Sequence, residues 1–182
     1  MKYESAFRTK DGRPGTLRSA SPDEAKEMLG LYLQTHEETD MLACYPDECT
    51  FTVDGEREFL TLQEKNDRAV ELFAVLDGRY VGSAGIHPLG EKEKMRRRAG
   101  FGISVIKDCW GLGVGRALTD ACIECAKKAG FSQLELEVVE ANTAAVALYK
   151  SAGFVEYGRN PRGFHSRFTG WQSLLLMRLE LD

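Results

Sequence analysis

Two short segments carry residue types and spacings that suit the handling of a phosphorylated ligand. The first is Trp110-Gly111-Leu112-Gly113-Val114-Gly115-Arg116-Ala117-Leu118, preceded by the run 99–105. The run reads as a strand, the glycines as a turn, and the residues after them as a helix. Such a turn aims several backbone N–H groups and a helix N-terminus at one point, which suits a phosphate. Gly111, Gly113 and Gly115 have no Cβ to obstruct a pyrophosphate. Three glycines opening a helix are costly if they serve only close packing. The second segment is Asn142-Thr143-Ala144-Ala145-Val146-Ala147-Leu148-Tyr149, followed by Ala152-Gly153-Phe154. It sets an N-capping Asn at a helix start and a phenol on the inner stripe.

The elements that must position these segments follow from periodicity. Residues 16–19 read as a first strand. Ser21-Pro22-Asp23-Glu24 is a capping box, and Ala25, Met28, Leu29, Tyr32 and Leu33 follow at helical spacing. Residues 35–54 read as an acidic loop. A second helix is expected over 53–66, with Phe59 and Leu60 inward. Residues 70–76 and 80–87 form strands around the hairpin signal Asp77-Gly78. In the helix after the glycines, Val114, Ala117, Leu118, Ala121, Cys122, Cys125 and Ala126 make one apolar stripe, and Gly130 is a C-terminal stop. Leu134, Leu136 and Val138 alternate with Glu135 and Glu137, as in a strand. Residues 154–157 and 173–181 read as the last two strands, joined by a long Gly- and Arg-bearing loop. The mixed order implies an α/β (α+β) fold, hairpins early and a βαβ unit late.

Composition narrows the function classes. The chain has 182 residues, 43% hydrophobic and 29% charged, which suits one domain over 1–182. A net charge of −4 gives no general attraction to nucleic acid or to an anionic membrane. No apolar run reaches the ~18 residues of a bilayer span, and the first residues contain no apolar signal core, so a cytoplasmic location is the default expectation. The five cysteines form no disulfide framework. Cys122 and Cys125 fall on the helix stripe, and Cys44 and Cys49 lack a matching pair, so no metal site is expected.

The two segments resemble the GNAT acetyltransferase superfamily. The glycines of Trp110-Gly111-Leu112-Gly113-Val114-Gly115 match its central motif, with Trp110 where Arg or Gln is usual. Asn142, Ala145, Leu148, Tyr149, Gly153 and Phe154 match its later segment. The resemblance implies a GNAT fold: a twisted mixed sheet of about seven strands with a central splay, and four helices. It implies acetyl-CoA as cosubstrate and an N-acetyl transfer to a primary amine of a small molecule or peptide. Homodimers are common in the family.

On this reading the backbone amides of Gly111, Leu112, Gly113, Val114, Gly115 and Arg116 hold the pyrophosphate, each hydrogen bond contributing roughly 1.5–3 kcal/mol. Ile103 and Val105 pair with the pantetheine amides as if with another strand. Asn142 contacts the cofactor, caps its helix, or does both. Tyr149 is the expected catalytic acid at the departing thiolate. The strand 99–105 contains no acid, although many members carry a glutamate there, so no base is assigned; Glu37, Glu38, Glu137 and His87 are candidates acting through water. The acidic stretch 37–48 suits a polyamine or aminoglycoside acceptor, and the Arg-bearing stretch 159–167 suits a carboxylate. A dinucleotide-binding oxidoreductase fails on the third glycine, since positions 116 and 118 are Arg and Leu. The remaining alternative is a non-catalytic acyl-CoA sensor on the same fold.

Overall fold

The computed structural model describes residues 1–181. Eight strands form one sheet in the order β1-β2-β3-β4-β5-β6-β8-β7. These are β1 Glu4–Arg8, β2 Pro14–Ser19, β3 Val70–Leu76, β4 Arg79–Pro88, β5 Arg98–Val105, β6 Gln133–Val139, β7 Val155–Ser166 and β8 Gly170–Glu180. The helices are α1 Ala25–Glu37, α2 Val53–Lys65, α3 Val114–Lys128 and α4 Thr143–Ser151.

Local chemistry explains most boundaries. The Ser21 hydroxyl accepts from Asp23 N–H and the Glu24 carboxylate accepts from Ser21 N–H, so the capping box opens a 3-10 turn that runs into α1. Thr52 caps α2 by accepting from Gly55 N–H at 3.1 Å. Asp77 (φ 51°) and Gly78 (φ 74°) make the β3–β4 turn, whose left-handed backbone matches the strand twist.

The neighbours β1 to β5 pair antiparallel in chain order, whereas β5 and β6 run parallel. That pairing holds over Arg98–Gln133, Ala99–Leu134 and Gly100–Glu135 and then stops. Beyond Gly100 the two strands part, leaving one edge of β5 without a strand partner. Side-chain alternation sorts the helices between the faces. A Cβ at Gly82 would meet Leu118 and Val105, so α3 covers the face bearing Gly82, Ile103 and Val105. The Tyr149 ring packs edge-on to Phe101, which puts α4 on that face too. Glu56 of α2 neighbours Glu71, across from Gly85, so α2 lies on the opposite face.

Several expectations need correction. Among the described residues there are eight strands, not about seven: β1 is an edge strand with a half-exposed pattern and no apolar run to betray it. The stretch read as a loop between the last two strands is instead the body of a long hairpin, with a register break between Asn160 and Phe164 where Pro161 cannot join the ladder. Helix α1 continues to Glu37, and Thr35 is buried with its hydroxyl bonded to the Tyr32 carbonyl. Phe59 is 42% exposed, because Leu60 alone fills the core-facing position of that turn.

Candidate active site

The glycine turn is built on left-handed backbone at Gly111 (φ 74°) and Gly113 (φ 92°), a conformation that an L side chain resists. Gly113 is the N-cap of α3 and supplies no side-chain cap. The first helical bond runs from Ala117 N–H to the Gly113 carbonyl at 3.1 Å. The N–H groups of Gly113, Val114, Gly115 and Arg116 therefore project beyond the ladder at the positive end of the helix. The Leu112 carbonyl faces the other way and accepts from Lys10 N–H at 2.9 Å. The Lys10 stem lies beside the turn, 3.7 Å from where a Gly113 Cβ would sit. Sequence reasoning missed Lys10, because only the β1–β2 connection brings it here. Gly115 lets α3 and α4 approach: its Cβ would stand 3.3 Å from Leu148.

The other expected residues gather around this turn and the adjoining split. Ile103 and Val105 lie on the α3 face of β5, half-buried. The carbonyl of Val105 already accepts from the Trp110 indole N–H at 2.7 Å. Asn142 caps α4 by accepting from Ala145 N–H at 3.2 Å, which satisfies its structural role without a ligand. The Arg116 guanidinium pairs with Asp120 at 2.8 Å, so its side chain is committed to the helix surface. Tyr149 is buried among Phe101 and Phe154, and burial alone pushes its phenol up to about 12.

The candidate bases are scattered. Glu38 accepts from Lys107 N–H at 2.6 Å and so ties the end of α1 to the residues after β5. His87 is exposed and its ring lies over Gly100, where a Cβ would clash with it. Glu137 is exposed on β6, and Glu37 is exposed at the end of α1. Glu135 is engaged by Arg98 and by the Tyr157 hydroxyl, and these partners hold its carboxyl below the usual range.

The two charged stretches expected to line the acceptor entrance bind each other. Asp40 accepts from Ser166 at 2.5 Å and from Tyr45 at 3.0 Å. Arg167 pairs with Asp47 at 2.8 Å, and its N–H donates to the Tyr45 hydroxyl at 2.7 Å. Arg159 pairs with Glu140 at 2.7 Å. Much of the charge that suggested an acceptor class is therefore spent internally. A cavity of about 350 Å³, lined by Tyr3, Arg18, Gln63 and Glu71 among others, lies over β1 to β3, two strands away from the split. Among the described residues, no group of His, Cys, Asp or Glu side chains could hold a metal ion, and no helix is long and apolar enough to cross a membrane.

Comparison with known proteins decides the family. Residues 29–154 match the model of the acetyltransferase (GNAT) family. The chain belongs to the GNAT acetyltransferases. Acetyl-CoA is the cosubstrate of this family. A mycothiol acetyltransferase of Geodermatophilus obscurus is 31% identical over 147 residues, covering 78% of this chain and 44% of that protein. The Escherichia coli K12 [ribosomal protein bS18]-alanine N-acetyltransferase is 37% identical over 82 residues, covering 45% of this chain and 55% of that one. The chain thus spans about half the length of these relatives. A GNAT acetyltransferase of Streptococcus pneumoniae superposes with a TM-score of 0.87 at 29% identity, over 91% of this chain and 99% of that one. The yncA protein of Salmonella typhimurium, solved with acetyl-CoA, superposes at 0.81 and 21% identity over 92% and 94%, and shares the fold.

Proposed function

We propose that this GNAT protein transfers the acetyl group of acetyl-CoA directly to a primary amine of a small molecule or peptide. The observation that carries the reading is the juxtaposition of two sets of main-chain groups: the amides at the mouth of α3, and the β5 edge released beyond Gly100, where the Val105 carbonyl is held by Trp110 and the groups before it have no strand partner. An anion fits the first and an extended amide chain fits the second. The pyrophosphate of acetyl-CoA supplies the anion and its pantetheine arm the extended chain. The name of one relative, an alanine N-acetyltransferase, supports an amine acceptor.

The amine nitrogen forms its bond to the thioester carbonyl carbon, the carbon–sulfur bond breaks, the sulfur leaves as a thiolate, and the nitrogen gives up one proton to water. The backbone N–H of Val105, on the edge of β5 turned away from β4, is suited to the carbonyl oxygen as charge develops. Tyr149 serves the sulfur. With its phenol near 12 and an ordinary thiol near 8.5, complete proton transfer runs uphill, so Tyr149 acts by donating a hydrogen bond to the forming thiolate.

The test is release of free thiol from acetyl-CoA in the presence of amino acids, polyamines, aminoglycosides and peptides, with mass detection of the acetylated amine. Acetyl-CoA binding without release for any amine would overturn transfer and leave a sensor.

A further inference from the structure

We propose that Glu71 takes up the proton lost by the acceptor amine, through water seated over the glycines of β4 and β5. The inference rests on the acetyl-transfer reading above.

Strand β5 carries no carboxylate of its own. The register supplies one from two strands away: Glu71 stands opposite Gly85, and Gly85 stands opposite Gly102. Alternation puts all three on the face turned away from α3. The Glu71 side chain leans across its neighbour, for a Cβ on Gly85 would collide with Oε2. Beyond it Gly102 is exposed, and nothing lies within 4 Å of where its Cβ would be. Strands lie about 4.8 Å apart, so the carboxyl above Gly85 is within one water of the space above Gly102. That space adjoins the point where β6 leaves β5.

The surroundings of Glu71 suit a proton acceptor better than a structural ion. It takes part in none of the ion pairs among the described residues. Glu56 faces it from α2, the Ser83 hydroxyl from β4, and the Cys122 thiol from α3 through the sheet. Burial, then Glu56, push its carboxyl up to about 8, while Ser83 pulls it down. A group that gains and loses a proton near working pH is what general base catalysis asks for. A purely structural position would be filled at less cost by an apolar side chain.

The experiment is the pH profile of kcat/KM for the amine of the above panel that the wild-type chain acetylates fastest. Glu71→Gln is close to isosteric. It is expected to lower kcat/KM roughly 100-fold or more at pH 8 while leaving acetyl-CoA affinity within about twofold. Glu56→Gln is expected to move the ascending limb to lower pH, and Ser83→Ala to move it to higher pH. Glu71→Gln with wild-type kcat/KM and an unchanged profile overturns the assignment and leaves acetyl transfer standing. If Glu71→Gln does not fold, unmoved limbs in the other two variants overturn it. A wild-type chain that acetylates none of these amines overturns both readings.

Discussion

The indole N–H of Trp110 donates to the carbonyl of Val105 at 2.7 Å, stitching the glycine turn to the end of β5. The family usually has Arg or Gln at this position, and here a rigid aromatic takes it. Trp110→Phe keeps the ring and removes the donor. A typical net hydrogen bond of about 1 kcal/mol predicts a weakening of acetyl-CoA binding by roughly fivefold, read by calorimetry. An unchanged dissociation constant would show that the turn holds its shape without the stitch.

Lys10 brings the stem of a cationic side chain to the glycine turn. Its backbone is fixed to Leu112 and its stem lies beside Gly113. Lys10→Gln is expected to weaken acetyl-CoA binding several-fold at low ionic strength. The difference should shrink as salt is raised toward 1 M, where the screening length falls to about 3 Å. Equal affinities for both proteins at low salt would remove Lys10 from the site.

On the proposed mechanism, Tyr149→Phe removes the hydrogen bond to the departing sulfur while keeping the aromatic packing with Phe101 and Phe154. Turnover is expected to fall by roughly 10²-fold with acetyl-CoA affinity retained. Because the phenol keeps its proton up to about 12, the wild-type rate should show no descending limb from this group below pH 11. A phenylalanine variant with full turnover would exclude the role.

Glu24 links the sheet to the start of α1: Arg18 grips its carboxylate with two hydrogen bonds, at 2.5 and 2.8 Å, and the Tyr80 hydroxyl donates to it. Chiefly through the Arg18 hydrogen bonds, its carboxyl drops to about 2 from an ordinary 4.5. A depressed carboxyl stabilises the fold above the unfolded value and loses that contribution as pH falls toward the folded one. Glu24→Gln should therefore cost about 1–2 kcal/mol at pH 7, after allowance for solvent at Arg18, and only a few tenths of a kcal/mol at pH 2, where the carboxyl is half protonated. Urea unfolding at both pH values measures this.

The sequence spoke most clearly where a local rule decides the structure. Asp77-Gly78 named its own turn, the stripe from Val114 to Ala126 named the buried side of α3, and Asn142 named the start of α4. The family motifs pointed to the turn and to Tyr149, which do lie on the same face of the sheet. What stayed hidden depends on contacts between distant segments. Lys10 reaches the glycine turn only because a hairpin bends back to Leu112. The acidic stretch and the Arg-bearing stretch looked like two separate linings, and only the fold pairs Arg167 with Asp47. Glu71 reads as a polar residue within an apolar strand; the bare glycines beside it emerge only from cross-strand register.

The three-rung contact between β5 and β6 has a consequence for how this protein can change over time. On the proposed reading, peptide groups along the free edge of β5 select a ligand by its length and amide spacing more than by the side chains around it. Substitutions on the outward surface can therefore accumulate and retune which partner molecule is accepted, while the donor remains the same.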